Sequence, residues 1–184
     1  MQKKVKHGRL LQVIELGHPT IRKKAKKVEN IADLKFQELI DDLIATVMEV
    51  NGVGISAPQV NESIKLFIMA SHPNIRYPHA PKMKPIAIIN PKIVLQSVVY
   101  EKDWEGCLSI PGIRALIPRS DSITVSYILR DGSKETKTYK GFIARIFLHE
   151  YDHLEGLVFL DRIDSIKEII SEKEYQKLIN KVKK

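Results

Sequence analysis

Two histidines four residues apart, His149 and His153, enclose Glu150 in the pattern H-E-x-x-H. On an α-helix such a pair is offset by about 40° and one turn, so both rings face one side and a single metal ion can take both. Glu150 is next to a ligand but points elsewhere, which is where a general base for water activated by that metal must stand. A tetrahedral catalytic site needs a third protein ligand and an open fourth position. The single cysteine, Cys107 in the run WEGCLSIPG, is one source of that ligand. Glu155 and Asp161, just beyond the motif, are left open by spacing alone, and no histidine follows Gly156. Taken by itself an i, i+4 histidine pair is also met among ordinary surface and core residues, so the rest of the chain has to decide.

The elements that position these residues are legible from periodicity. Between Asp33 and Val50, apolar residues at Phe36, Leu39, Ile40, Leu43, Ile44, Val47 and Met48 mark an amphipathic helix, with Gly52 as its stop. Ile64 to Ala70 and Ile86 to Ile89 predict strands separated by the proline-rich loop 71–85, and 93–100 suggests a further strand. Ile123, Val125, Tyr127 and Leu129 alternate with polar residues, and Asp131-Gly132 predicts a hairpin turn into a return strand ending at Tyr139. After Gly141 the spacing of Phe142, Ile143, Ile146, Phe147, His149, His153 and Leu154 predicts a buried helix that stops at Gly156. A last helix is expected from about Ser165, with Ile166, Ile169, Ile170, Leu178, Ile179 and Val182 on one face. Strands cluster between helices instead of alternating with them, which predicts an α+β fold over a doubly wound parallel sheet.

The length of 184 residues and 43% hydrophobic content predict one catalytic domain over 1–184, with a basic extension at about 1–9 and a C-terminal helix at about 165–184. One cysteine cannot form an internal disulfide, and neither a membrane-length apolar run nor a signal peptide is visible, so a cytoplasmic protein is expected. Residues 1–27 hold nine Lys/Arg against Glu15 and account for the whole net charge of +8. That end is a candidate nucleic-acid contact, although no aromatic residues interleave the lysines to stack bases, and solvated lysines are the commoner explanation. No membrane partner and no specific DNA partner is expected.

Three segments carry a more specific signal: GVGISAPQ at 52–59, EGCLS at 105–109 and HEYDH at 149–153. In order and spacing they resemble the signature motifs of the peptide deformylases, G-x-G-x-x-A-x-Q, E-G-C-x-S and H-E-x-x-H. The opening LLQVIELGHPTIRKKAKKV is similar to that family's N-terminal segment, and the resemblance runs over roughly residues 10–165. It implies a deformylase-like fold, with antiparallel and mixed sheets around a central helix that carries H-E-x-x-H. It also implies removal of the N-terminal formyl group from formyl-methionyl nascent peptides, with formate as product. By the same resemblance Cys107, His149 and His153 hold one divalent metal, with Fe(II) expected in the cell and zinc, nickel or cobalt able to substitute. Glu150 matches the general base; Gln59 and the backbone N–H of Leu108 match the oxyanion donors.

The resemblance also supplies a substrate wall. Gly52, Val53, Gly54 and Gly106 would let an extended peptide lie against the backbone as an added strand. Val53, Phe142 and Ile146 are candidates for an apolar pocket for methionine, and Arg114 matches a position beside the substrate chain. Three residues depart from the family pattern: Leu148 where glutamine is usual, Asn51 where an acidic residue is common, and Ser56 in place of alanine. Leu148 is expected to alter pocket packing. The run Arg76-Tyr77-Pro78 resembles an insertion found in one branch, near the groove entrance. A ribosome contact through the basic ends would fit a nascent-chain substrate. Two other readings use the same residues: an H-E-x-x-H zinc endopeptidase, and a non-catalytic homologue that binds ribosomes or peptides.

Overall fold

The structure is a computed structural model in which residues 8–181 are described. Helix α1, Leu34–Glu49, starts at Asp33, whose carboxylate accepts from the Phe36 N–H at 3.0 Å. It buries Phe36, Ile40, Leu43 and Val47, the predicted stripe. Its stop is Asn51, which takes the left-handed conformation at φ 50°, and not Gly52 as expected. Asparagine tolerates this region better than other side-chain-bearing residues.

β1 (Gly54–Ser56), β2 (Leu66–Met69) and β3 (Ile86–Gln96) follow, then β6 (Ser122–Ile128) and β7 (Lys134–Lys140), in the antiparallel order β1-β2-β3-β6-β7. β3 overturns the expectation of separate strands at 86–89 and 93–100. It is one strand interrupted by a register shift between Ile89 and Lys92. Asn90, at φ 49°, turns the backbone there and exchanges hydrogen bonds with both backbone groups of Val28, and Pro91 has no N–H to give the ladder. The hairpin turn at Asp131-Gly132 is as predicted, with Gly132 at φ 86°.

Sequence patterning did not reveal the second sheet, β4 (Tyr100–Cys107), β5 (Ile110–Ser120) and β8 (Ile169–Ser171), in the order β4-β5-β8. Strand β8 lies inside the stretch read as helix from Ser165. Ile169 and Ile170 pair with Ala115 and Arg114, as suits two β-branched residues, and α3 begins only at Glu172 and runs to Lys181. The face expected on that helix is not the buried one: Tyr175 is buried, while Ile166 and Leu178 are exposed and Val182 lies outside the described residues.

α2 (Gly141–Leu154) carries the histidine motif and stops at Gly156, φ 75°, as predicted. β2 is buried on both faces. Phe67 and Met69 join Ile146, Phe147 and Leu148 of α2, while Leu66 and Ile68 join Ile40, Leu43 and Val47 of α1. The five-stranded sheet is thus sandwiched between the two helices. Ahead of α1 the chain is extended and strapped down: the Arg9 guanidinium pairs with Asp42, Ile14 N–H donates to Gln59 O and Leu16 N–H to Ser109 O, both at 2.8 Å. Among the described residues no helix is long and apolar enough to cross a membrane.

Candidate active site

Cys107 closes β4 and leads into the tight Leu108-Ser109 connection to β5, where a register shift after Glu105 turns it toward α2. The cysteine sulfur and one ring nitrogen from each of His149 and His153 lie within 4.8 Å of one another. Cys107 Sγ is 3.3 Å from His153 Nε2. The two rings stand edge to face with centroids 5.3 Å apart.

The shell behind these atoms is built from charge. Glu105 accepts both arms of Arg119 at 2.9 and 3.0 Å, Arg145 Nη1 at 2.9 Å, and His149 Nδ1 at 2.9 Å. Burial acts to raise this carboxyl, but the Arg119 charge and the His149 hydrogen bond outweigh it and hold Glu105 ionised. With Nδ1 so occupied, His149 offers Nε2 forward, the carboxylate–histidine arrangement that orients metal ligands. Burial also works against a charged His149, yet Cys107 and Glu105 keep that ring well above its ordinary range. His153 is pushed well below it, by burial first and by the charges of His149 and Arg119 next. One cysteine sulfur and two oriented imidazoles at this spacing fit a divalent transition metal.

Glu150 is 4% exposed, and its Oε2 has no hydrogen-bond partner among the described residues. Burial pushes its carboxyl up to about 7. Gln59 is equally buried, and Ser56 fixes its amide by donating from N and Oγ to Oε1 at 2.9 and 3.1 Å. Nε2 is thereby aimed at Cys107 Sγ, 3.4 Å away, and at Ser109 Oγ, 3.3 Å away. The family departure at position 56 thus has a local use here.

These groups open onto a groove of about 490 Å³. Of the residues singled out from sequence, Gly52, Val53, Gly54, Gln59, Gly106, Cys107, Leu108, Arg114, Phe142, Ile146, His149 and Glu150 all line it; His153 lies behind them, 1% exposed. Two glycines have a more immediate reason than substrate approach. A Cβ at Gly54 would meet Glu150 Oε1 at 2.5 Å, and one at Gly106 would meet Arg114 Cζ at 2.8 Å. Leu148 does not itself line the groove; it packs in the apolar cluster of α2 with Ile146, against which Val53 and Phe142 of the groove wall also pack. The endopeptidase reading loses its ligands: Glu155 is tied to Lys24 and Lys65, and Asp161 to Arg22 and the Val158 N–H. Sequence reasoning gave Glu105 no role, although its place in E-G-C was a signal. It missed Glu172 altogether, and it placed Tyr77 near the entrance only through the resemblance.

An α+β frame that gathers a cysteine sulfur, two imidazoles and a buried carboxyl group at one groove is that of a metal-dependent hydrolase. Comparison with known proteins names the family: the polypeptide deformylase model matches residues 10–168, and the chain belongs to that family, whose members remove the N-terminal formyl group of nascent peptides. The chain is 57% identical over 172 residues to peptide deformylase 2 of Nostoc sp., covering 94% of this chain and 96% of the relative. It is similar in structure to the class I type b peptide deformylase of Acinetobacter baumannii bound to Met-Ala-Ser, with TM-score 0.82, 38% identity, and coverage of 84% of this chain and 98% of that one. The actinonin complex of a Synechococcus elongatus peptide deformylase matches with TM-score 0.78 and 31% identity, covering 90% of this chain and 87% of the other.

Proposed function

We propose that this chain deformylates formyl-methionyl peptides in the cytoplasm as they leave the ribosome, yielding formate and a free amine. The observation that carries the reading is the meeting of the Cys107–His149–His153 donor set with Glu150 and Gln59 at one groove. Cys107, His149 and His153 would hold one divalent metal, Fe(II) in the cell, with nickel, cobalt or zinc as substitutes. When bound, the metal lowers the pKa of water and polarises the formyl carbonyl.

The protein's own groups do the rest. Glu150 takes a proton from the attacking water and delivers it to the departing amine nitrogen, a task suited to a carboxyl raised to about 7. Gln59 Nε2 and the Leu108 N–H donate to the carbonyl oxygen as negative charge builds there. The serine contacts on Gln59 Oε1 hold that donor in place before substrate arrives. Gly52, Gly54 and Gly106 form the backbone wall, Val53, Phe142 and Ile146 receive the methionine side chain, and Arg114 stands beside the chain that follows.

Ribosome contact rests on the exposed Lys23, Lys24, Lys26 and Lys27, of which Lys24 and Lys27 are already paired with Glu155 and Glu29. Lys3, Lys4, Lys6, Lys183 and Lys184 lie outside the described residues. The deciding experiment is anaerobic purification, metal analysis and a formate-release assay with formyl-Met-Ala-Ser. About one metal per chain with turnover is expected; a metal-loaded protein that releases no formate would leave the non-catalytic reading standing.

A further inference from the structure

One end of the groove is closed by a side-chain tie that the hydrolysis itself does not call for. Arg114 is 2% exposed, and its guanidinium lies between the rings of Tyr77 and Tyr175, 5.2 and 4.7 Å from their centroids. Nη1 donates to Tyr77 Oη at 2.7 Å and Nε to Glu172 Oε2 at 2.5 Å. Glu172 is placed for this because β8 pairs with β5 across Arg114 and Ile170, which sets the first turn of α3 beside the groove. Gln176 Nε2 holds the other carboxylate oxygen at 2.8 Å. Three segments remote in sequence are therefore joined around one buried cation.

The cation is matched by an anion that itself reaches the groove. The Glu172 side chain is 33% exposed and lines the groove with Gln176, while Arg76 is the other cation nearby. If the formyl group sits at the Cys107 end and methionine among Val53, Phe142 and Ile146, the peptide beyond methionine has to leave past this wall. We propose that Glu172 is a specificity-determining residue: its carboxylate disfavours acidic side chains, relative to basic ones, on the residues that follow methionine. The inference rests on the deformylase reading and adds a substrate selection to it. Charge at a partly exposed site acts mainly through binding, so KM carries the effect.

The test compares kcat/KM of the metal-loaded full chain for formyl-Met-Xaa-Ser and formyl-Met-Ala-Xaa, with Xaa as Asp, Ala or Lys. In Glu172→Gln the Asp-to-Lys ratio should rise roughly five-fold at one of these positions or both, and Glu172→Asp should keep the wild-type ratio. A merely structural role would lower all peptides in proportion, and an unmoved ratio overturns the proposal. Formate release from formyl-Met-Ala-Ser by wild type separates the two levels. With release and unmoved ratios only the charge assignment fails; without release the deformylase reading fails, and the assignment falls with it.

Discussion

Glu150 fills the space into which a side chain at position 54 would grow, so that a Cβ on Gly54 would stand 2.5 Å from Glu150 Oε1. The glycine of the first motif and the glutamate of the third are thus one steric unit. Gly54→Ala should displace the carboxylate by a fraction of an ångström and lower kcat by about a hundred-fold, since misplacement of reacting groups on that scale is costly. Glu150→Gln should lose several orders of magnitude in kcat. Both variants should bind metal as wild type does, measured by metal analysis beside formate release, because neither touches a proposed ligand.

Cys107→Ser should weaken metal retention, since a hydroxyl is a poor replacement for a soft thiolate. The iron-loaded protein should lose activity in air while nickel or cobalt forms persist, because a partly exposed thiolate on a ferrous ion is open to oxidation. Time courses of activity for each metal form under air and under nitrogen check this, and equal decay would count against it.

Leu148 is 6% exposed, in the apolar cluster that backs the groove residues Val53, Phe142 and Ile146. Leu148→Gln should therefore act on stability, costing about 1–3 kcal/mol for a buried amide without partners, and change kcat/KM by roughly ten-fold or less. Denaturant midpoints and steady-state kinetics on the same preparations separate the two effects. A large gain in activity would mark the leucine as an impairment.

The Arg114–Glu172 pair predicts a pH-dependent contribution to stability. Burial acts to raise the Glu172 carboxyl, but the hydrogen bonds from Arg114 and Gln176 outweigh it, and the group sits below its usual range. A carboxyl lowered by folding stabilises the protein fully above its unfolded pKa and loses that contribution as pH falls through the folded value. Glu172→Gln should thus be less stable than wild type at pH 7, and the gap should close on acidification below about pH 4. A gap independent of pH would show that Glu172 contributes packing alone.

Changing Lys23, Lys24, Lys26 and Lys27 to glutamine should reduce co-sedimentation with ribosomes at low salt, and wild-type binding should fall steeply as salt rises, because each neutralised phosphate releases counterions. Unchanged association with intact peptide turnover would make these lysines solubility residues.

The histidine pair and Glu150 were legible in sequence because i, i+4 geometry is local and belongs to any helix. So were α1, the hairpin at Asp131-Gly132 and the stop at Gly156, where short-range sterics decide the backbone. What joins Cys107 to His153 is long-range: a β4–β5 hairpin whose strands show no clean alternation because the exposure along them is irregular. The same holds for β8, where two isoleucines read equally well as a helix face until β5 offers them an edge to pair with. Sequence thus named the reacting groups. Only the packed structure decided that Gly54 makes room for Glu150, that Glu105 turns His149 outward, and that Glu172 meets Arg114 at the groove wall. Such relations depend on distances between residues far apart along the chain, which no local spacing encodes.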